Sequence, residues 1–310
     1  MSDVLDMLEL LESEGFGRRP QIPTVQTAAV PTPAVPLART EDDGATLVAR
    51  PAGFGWIRRC LQAQEPVPPL GAVSRLLGAD PLGPDARHFL QLAREERRFA
   101  AALERPGWTT LHSLPTERDD DLDHLVVGPF GIMAISTVHP SGQRVRVDGR
   151  SLRLGEEVSR VLDRAAMLRE DVASRLGVAL GREVEVRSAV VVLGRGRIVV
   201  GARPDVPVLS PHQLTRLLWR LEPSFTPDET TEFADAARRA STWRDRASVA
   251  IAIPTEDAAF GELERVADAA RRRRTVLESV GLAAIVSAMV GAASGAPAMI
   301  VAAVSTALGG

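Results

Sequence analysis

Between His88 and Glu104 the apolar residues Phe89, Leu92, Phe99, Ala100 and Leu103 recur at helical spacing, and Pro106-Gly107 ends the run. A strand is expected next, at Trp108 to Leu114. Two β-rich runs, Leu122 to Val127 and Ile132 to Val138, flank Gly128-Pro129-Phe130-Gly131, the pattern of a hairpin with a four-residue connection. Further strands are expected at Arg144 to Asp148 and Ser151 to Leu154. Glu157 to Leu176 carries Val158, Val161, Leu162, Ala165, Leu168, Val172 and Leu176 on one stripe, which predicts a long amphipathic helix. Val184 to Leu193 is almost unbroken in apolar residues past Arg187, as in a strand covered on both faces. Short strands at Ile198 to Val200 and Val206 to Leu209 lead to a helix that Ser210 caps and Pro211 opens. Thr226 and Pro227 open another, expected to reach Arg246.

The two ends of the chain follow other patterns. Asp3 to Glu12 sets Val4, Leu5, Leu8 and Leu11 against Asp3, Asp6, Glu9 and Glu12, a short acidic amphipathic helix that would fold on a protein partner. Gly17 to Thr40, with prolines at 20, 23, 31, 33 and 36, reads as an extended, disordered linker. Residues 51–83 are transitional, with one helix expected around Gly71 to Leu77. Near the other end a helix capped by Thr255 runs through Arg271 to Arg274, and Ser279 to Gly310 then holds 32 residues without a charge. That run exceeds the ~20 residues needed to cross hydrocarbon. A C-terminal membrane anchor is therefore expected, one kinked span or a hairpin about Gly295-Ala-Pro297, with a buried helix pair as the alternative. Arginines just before it would keep the preceding domain on the cytoplasmic face of the membrane; without the anchor the expectation is a cytoplasmic protein.

Composition narrows the chemistry. With 45% hydrophobic and 25% charged residues and a net charge of −3, the chain is of ordinary globular type and is not basic as a whole. It contains no lysine, asparagine or tyrosine, so all 37 basic residues are arginine, a bias that fits a GC-rich genome. Without lysine there can be no P-loop, no kinase strand lysine and no Schiff-base or pyridoxal chemistry. Cys60 is the only cysteine, which rules out an internal disulfide or a Cys-rich zinc site and fits a reducing compartment. Met1 to Glu14 carries five acidic residues and no basic one, so no secretory leader is expected there.

The order helix, hairpin, strand, helix, strand resembles the restriction-endonuclease-like fold. The residues sharpen the likeness. Trp108-Thr-Thr-Leu-His, then Asp123-His124-Leu125-Val126-Val127-Gly128-Pro129-Phe130-Gly131, then Val145-Arg146-Val147-Asp148-Gly149 are similar to the nuclease-related domain, NERD, found in many bacterial proteins. The resemblance covers about residues 85–220. It implies an α/β fold, a mixed sheet flanked by helices, and a metal-dependent nuclease site of the PD-(D/E)XK type. On this reading residues 1–50 are helix and linker, 51–83 transitional, 84–222 the nuclease-fold domain, 223–275 a helical region and 276–310 the hydrophobic segment.

Carried over by position, the family's helix glutamate falls on Glu96 and its metal aspartate on Asp123. Its acidic-x-Lys pair falls on Ser136 and Val138, and both functional groups are lost. A glutamine common on the following helix falls on Arg164. If Val127 pairs with Ile132, Asp123 lies opposite Ser136 and Asp121 opposite Val138 on one face of the pleat. That face would clamp Mg²⁺ between carboxylates with a lysine beside the developing charge. Here Ser136 is a weak neutral ligand and Val138 carries nothing. No cofactor is expected, unless residual activity persists with Mg²⁺ held by Glu96, Asp123 and Asp121. His124 and His139 are expected to point away from Asp123 and Val138. Arg144 and Arg146 are candidate nucleic-acid contacts. The expected protein is thus a membrane-tethered pseudonuclease acting as a nucleic-acid or protein scaffold; a divergent metal-dependent DNA nuclease is the alternative.

Overall fold

The computed structural model describes residues 50–116, 121–243 and 253–293. The expected helix at 3–12, the linker at 17–40, Gly295 to Pro297 and the last residues of the apolar run lie outside them. The chain divides into two compact units, one of residues 1–56 and 91–253, the other of 57–90 and 254–310.

The first unit is a mixed α/β structure. Its larger sheet has the order β1 (Thr109–Leu114), β2 (Leu122–Gly128), β3 (Gly131–Val138), β7 (Val186–Val192), β9 (Val208–Leu209). The first three strands are antiparallel, and β3, β7 and β9 run parallel. Between β3 and β7 the chain builds a second sheet, β6-β5-β4-β8, from β4 (Val145–Asp148), β5 (Ser151–Leu154), β6 (Glu157–Ser159) and, after β7, β8 (Ile198–Val200).

Alternation along the strands sends residues to two helical layers. Val126, Met133, Ile135, Ala189 and Val191 pack with Phe99 and Leu103 of α3 (Pro84–Leu103) and with Leu214, Leu217 and Leu218 of α5 (Pro211–Arg220). On the other face Leu125, Val127, Ile132 and Ala134 meet Leu168, Val172 and Leu176 of α4 (Val161–Leu180) and Phe233 and Ala237 of α6 (Pro227–Arg238). Val138 closes a third cluster with Val145, Val147 and Leu152 of the small sheet and Val161, Leu162 and Ala165 of α4. Capping boxes fix two helix starts, Ser210 with Gln213 on α5 and Thr226 with Glu229 on α6.

The structure corrects several expectations. The hairpin connection is two residues long, because Gly128 pairs with Gly131, which takes a φ of 109° that favours glycine. Residues 157–159 join β5 as a strand, so the helix expected from Glu157 starts at Val161. The helix expected to reach Arg246 stops at Arg238.

The second unit holds most of α1 (Phe54–Gln64), then α2 (Ala72–Leu76), the start of α3, and α7 (Ile253–Ala293). The segment read as transitional thus contains a helix, α1, that its pattern did not suggest. The Cys60 thiol is buried and donates to the Ala86 carbonyl at 3.2 Å. Gly78, at φ 71°, passes so close to α7 that a Cβ would come within 2.6 Å of the Arg274 amide nitrogen. The expected membrane anchor is not supported: no helix among the described residues is long and apolar enough to cross a membrane. α7 continues unbroken from the arginines to Ala293, and alanine, glycine and serine dilute its exposed Val280, Leu282, Ile285, Val286 and Met289.

Candidate functional site

The expected hairpin register holds through Val127↔Ile132 to His124↔Ile135, where pairing of β2 with β3 ends. Just beyond lie the positions carried over for catalysis. β1 and β2 change face at the same place. His112 and His124 are paired and point toward α3, whereas the next pair, Leu114 and Leu122, packs toward α4. Ser113 makes the switch with a φ of 48°, and its hydroxyl donates to the Pro51 carbonyl at 3.1 Å.

Asp123 sits at this switch. Its Oδ2 accepts the Thr137 backbone N–H at 2.7 Å, replacing the ladder bond lost where the strands part. Burial and then repulsion from Glu96 push the Asp123 carboxyl up to about 6, against the pull of Arg164, His124 and the Thr137 amide. Asp121 is turned aside, its Oδ2 bound by Arg50 at 3.0 Å. Arg164, at the family's glutamine position, donates to the Asp121 carbonyl at 2.9 Å.

Glu96 belongs to the opposite face. It is 1% exposed on α3, and strand alternation brings it Thr137 and His139 rather than Ser136 and Val138. One oxygen, Oε1, accepts the Thr137 hydroxyl and His139 Nε2, the latter at 3.1 Å. The other, Oε2, lies 2.9 Å from His124 Nε2. His124 Nδ1 is 2.8 Å from His112 Nδ1, and His139 Nδ1 is 3.1 Å from Glu95 Oε2. Trp56 meets the His139 ring edge-on, and Phe99 meets that of His124.

A carboxylate cannot donate, so His124 Nε2 carries a proton toward Glu96, and a single proton bridges the two Nδ1 atoms. Burial alone would raise the Glu96 pKa. The hydrogen bonds and charges of His124 and His139 outweigh it and hold the carboxyl far below its usual range. Burial and then the charge of His124 depress His112 to about 4, despite Glu96. For His139 burial acts downward, but the bonds and charges of Glu96 and Glu95 raise it overall.

The expected positions therefore separate. Ser136 is 1% exposed, and Val138 is 9% exposed within the third apolar cluster. A cavity of about 630 Å³ opens on this side, lined by Thr137, Val138, Ser159, Arg160, Asp163 and Arg164. These residues do not fit a Mg²⁺ site. Both Glu96 oxygens are bonded within the protein, Asp121 is paired with Arg50, and positions 136 and 138 offer a buried hydroxyl and an alkyl group. Among the described residues no group of three His, Cys, Asp or Glu side chains is arranged to hold a metal.

Residues 91–193 match the family model of the nuclease-related domain, NERD. The matched stretch runs from within α3, through the hairpin and most of the small sheet, to just past β7. No curated protein and no solved structure matches the chain. The network on the α3 face of this domain was missed in the sequence. Its signal was present: His112 opposes His124, and Thr137 and His139 share the pleat face of His124's strand partner Ile135.

Proposed function

We propose that this protein is a pseudonuclease, a nuclease-related domain that binds nucleic acid as a scaffold and does not hydrolyse it. The reading rests on the face where the family would carry its acidic-x-Lys pair. There Val138 packs among Val161, Leu162 and Ala165, and the nearest cations of the cavity, Arg160 and Arg164, are guanidinium groups that cannot give up a proton. Without a carboxylate pair to clamp a metal ion, the term that dominates metal-dependent phosphoryl transfer is missing.

The test is cleavage of supercoiled and single-stranded DNA by the full chain with Mg²⁺ or Mn²⁺, beside Asp123→Ala and Glu96→Gln. Circular dichroism would establish that each protein is folded. The expected result is no nicking by the wild type above either variant. Cleavage abolished by both substitutions would overturn the proposal in favour of a divergent metal-dependent nuclease built on Glu96, Asp123 and Asp121.

A further inference from the structure

The small sheet has one buried face and one open face. Val145, Val147 and Leu152 point into the third apolar cluster, whereas Arg146, Asp148 and Ser151 are exposed and Arg153 is half-buried on the other side. Cross-strand register aligns a single row across all four strands: Val158 of β6, Arg153 of β5, Arg146 of β4 and Val199 of β8. Both valines are exposed, at 58% and 37%. Two residues along, Arg144 and Arg197 precede β4 and β8; both are exposed, and alternation puts them on the same face.

Four arginines therefore share this face with Asp148, whose Oδ1 accepts the Ala202 amide at 2.9 Å, and with Glu156 at its edge. Arg146 and Arg153 are directly opposite each other. Like charges so placed, with Cβ atoms about 5 Å apart, oppose sheet pairing unless an anion lies between them. Arg153 is partly tied down: its Nη2 donates to the Glu156 carbonyl at 2.6 Å, with the Glu156 carboxylate at 3.7 Å. Arg146 lies beside it on the row.

We propose that this face binds the phosphodiester backbone of nucleic acid, with Arg144, Arg146, Arg153 and Arg197 each contacting one phosphate along it. Val158 and Val199 border the row and contact sugars. The proposal rests on the nucleic-acid reading above and assigns it a surface away from the degenerate catalytic positions. Charge complementarity selects the ligand: planar guanidinium groups match phosphate oxygens in bidentate fashion, and a net charge of −3 makes this a local patch on an otherwise near-neutral chain.

The test is fluorescence anisotropy of labelled duplex DNA and single-stranded DNA with the full chain across a salt series. Four phosphate contacts give a slope of log K against log salt of about −3.6 on duplex, or about −2.8 on single strands. Arg146→Gln with Arg153→Gln should weaken binding at least about tenfold and reduce the duplex slope by about 1.8. Arg271→Gln with Arg272→Gln, on exposed positions of α7, should leave both unchanged. Wild-type binding that the sheet variant leaves intact would overturn this surface while sparing the nucleic-acid reading. No DNA binding at low salt would overturn both. Binding of phosphatidylserine vesicles, lost in the sheet variant, by protein that ignores DNA would reassign the face to a membrane.

Discussion

Substituting His112 by glutamine tests the histidine network through its proton balance. The wild-type pair shares one proton between two Nδ1 atoms 2.8 Å apart, and burial with the charge of His124 holds His112 at about 4 against an ordinary 6.5. On unfolding, His112 therefore gains a proton anywhere between these values, and a group depressed in the folded state loses stability as pH falls through that window. From 6.5 down to 4.5 the loss amounts to about 2.5 kcal/mol. Glutamine keeps a polar contact to His124 and cannot titrate. Its stability relative to wild type should thus improve by about 2.5 kcal/mol between pH 7.5 and pH 4.5, whatever the constant cost of the substitution. All four tryptophans, at 56, 108, 219 and 243, belong to the unit that contains the network, so urea unfolding followed by tryptophan fluorescence reports on it. With a urea slope of roughly 2–3 kcal/mol/M the midpoint difference should move by about 1 M. Parallel pH curves for the two proteins would refute the argument, because His112 would then take up its proton equally in the native state.

Other outcomes follow from the same geometry. Glu96→Gln removes the buried carboxylate that binds His124, His139 and Thr137, leaving His139 only Glu95, and should cost about 3–5 kcal/mol at pH 7, read from the same urea curves. Trp243→Ala removes a side chain 2% exposed whose indole N–H donates to the Ala237 carbonyl at 2.8 Å, and a loss of about 3–5 kcal/mol is expected. Ser210→Ala breaks the capping box of α5 and should cost about 1 kcal/mol with no effect on nucleic-acid binding. Asp123→Asn should gain stability relative to wild type as pH rises from 4 to 7. A carboxyl raised to about 6 favours the folded state below that value and loses the advantage as it ionises, so a flat difference would contradict its placement.

Much of the mixed α/β fold was legible because both periodicities are clean. The β2–β3 register followed from Val127 opposite Ile132, and Ser210 and Thr226 announced their helices. What was not legible depended on tertiary partners. Glu157 to Ser159 fits a helical stripe, but the open edge of β5 recruits it, and edge pairing outweighs a local preference shared by three residues. The apolar run after Arg274 looked long enough for a membrane, yet no helix among the described residues, which end at Ala293, is long and apolar enough to cross one. In the site, spacing placed Asp123 correctly next to the hairpin. It could not show that Ser113 would turn the strand pair over or that Glu96 would approach from the other face.

The two faces of the β3 end engage their polar and apolar side chains in different ways. A carboxylate that ligates a metal must keep lone pairs free, and here they are used within the protein: Glu96 by Thr137, His139 and His124, Asp123 by the Thr137 amide, Asp121 by Arg50. Each of these bonds ties a different segment to the point where β2 and β3 part, namely α3, β3 itself and the chain at Arg50. On the α4 face Val138 does the same with apolar contacts, joining the large sheet to the small one. A lysine at 138 would have to withdraw an ammonium from that cluster or carry it into the cavity beside Arg164, next to a second cation. On the reading proposed above, Val138 serves to position the small sheet, and the exposed arginines of that sheet would rely on this positioning to present a fixed pattern to a phosphate backbone.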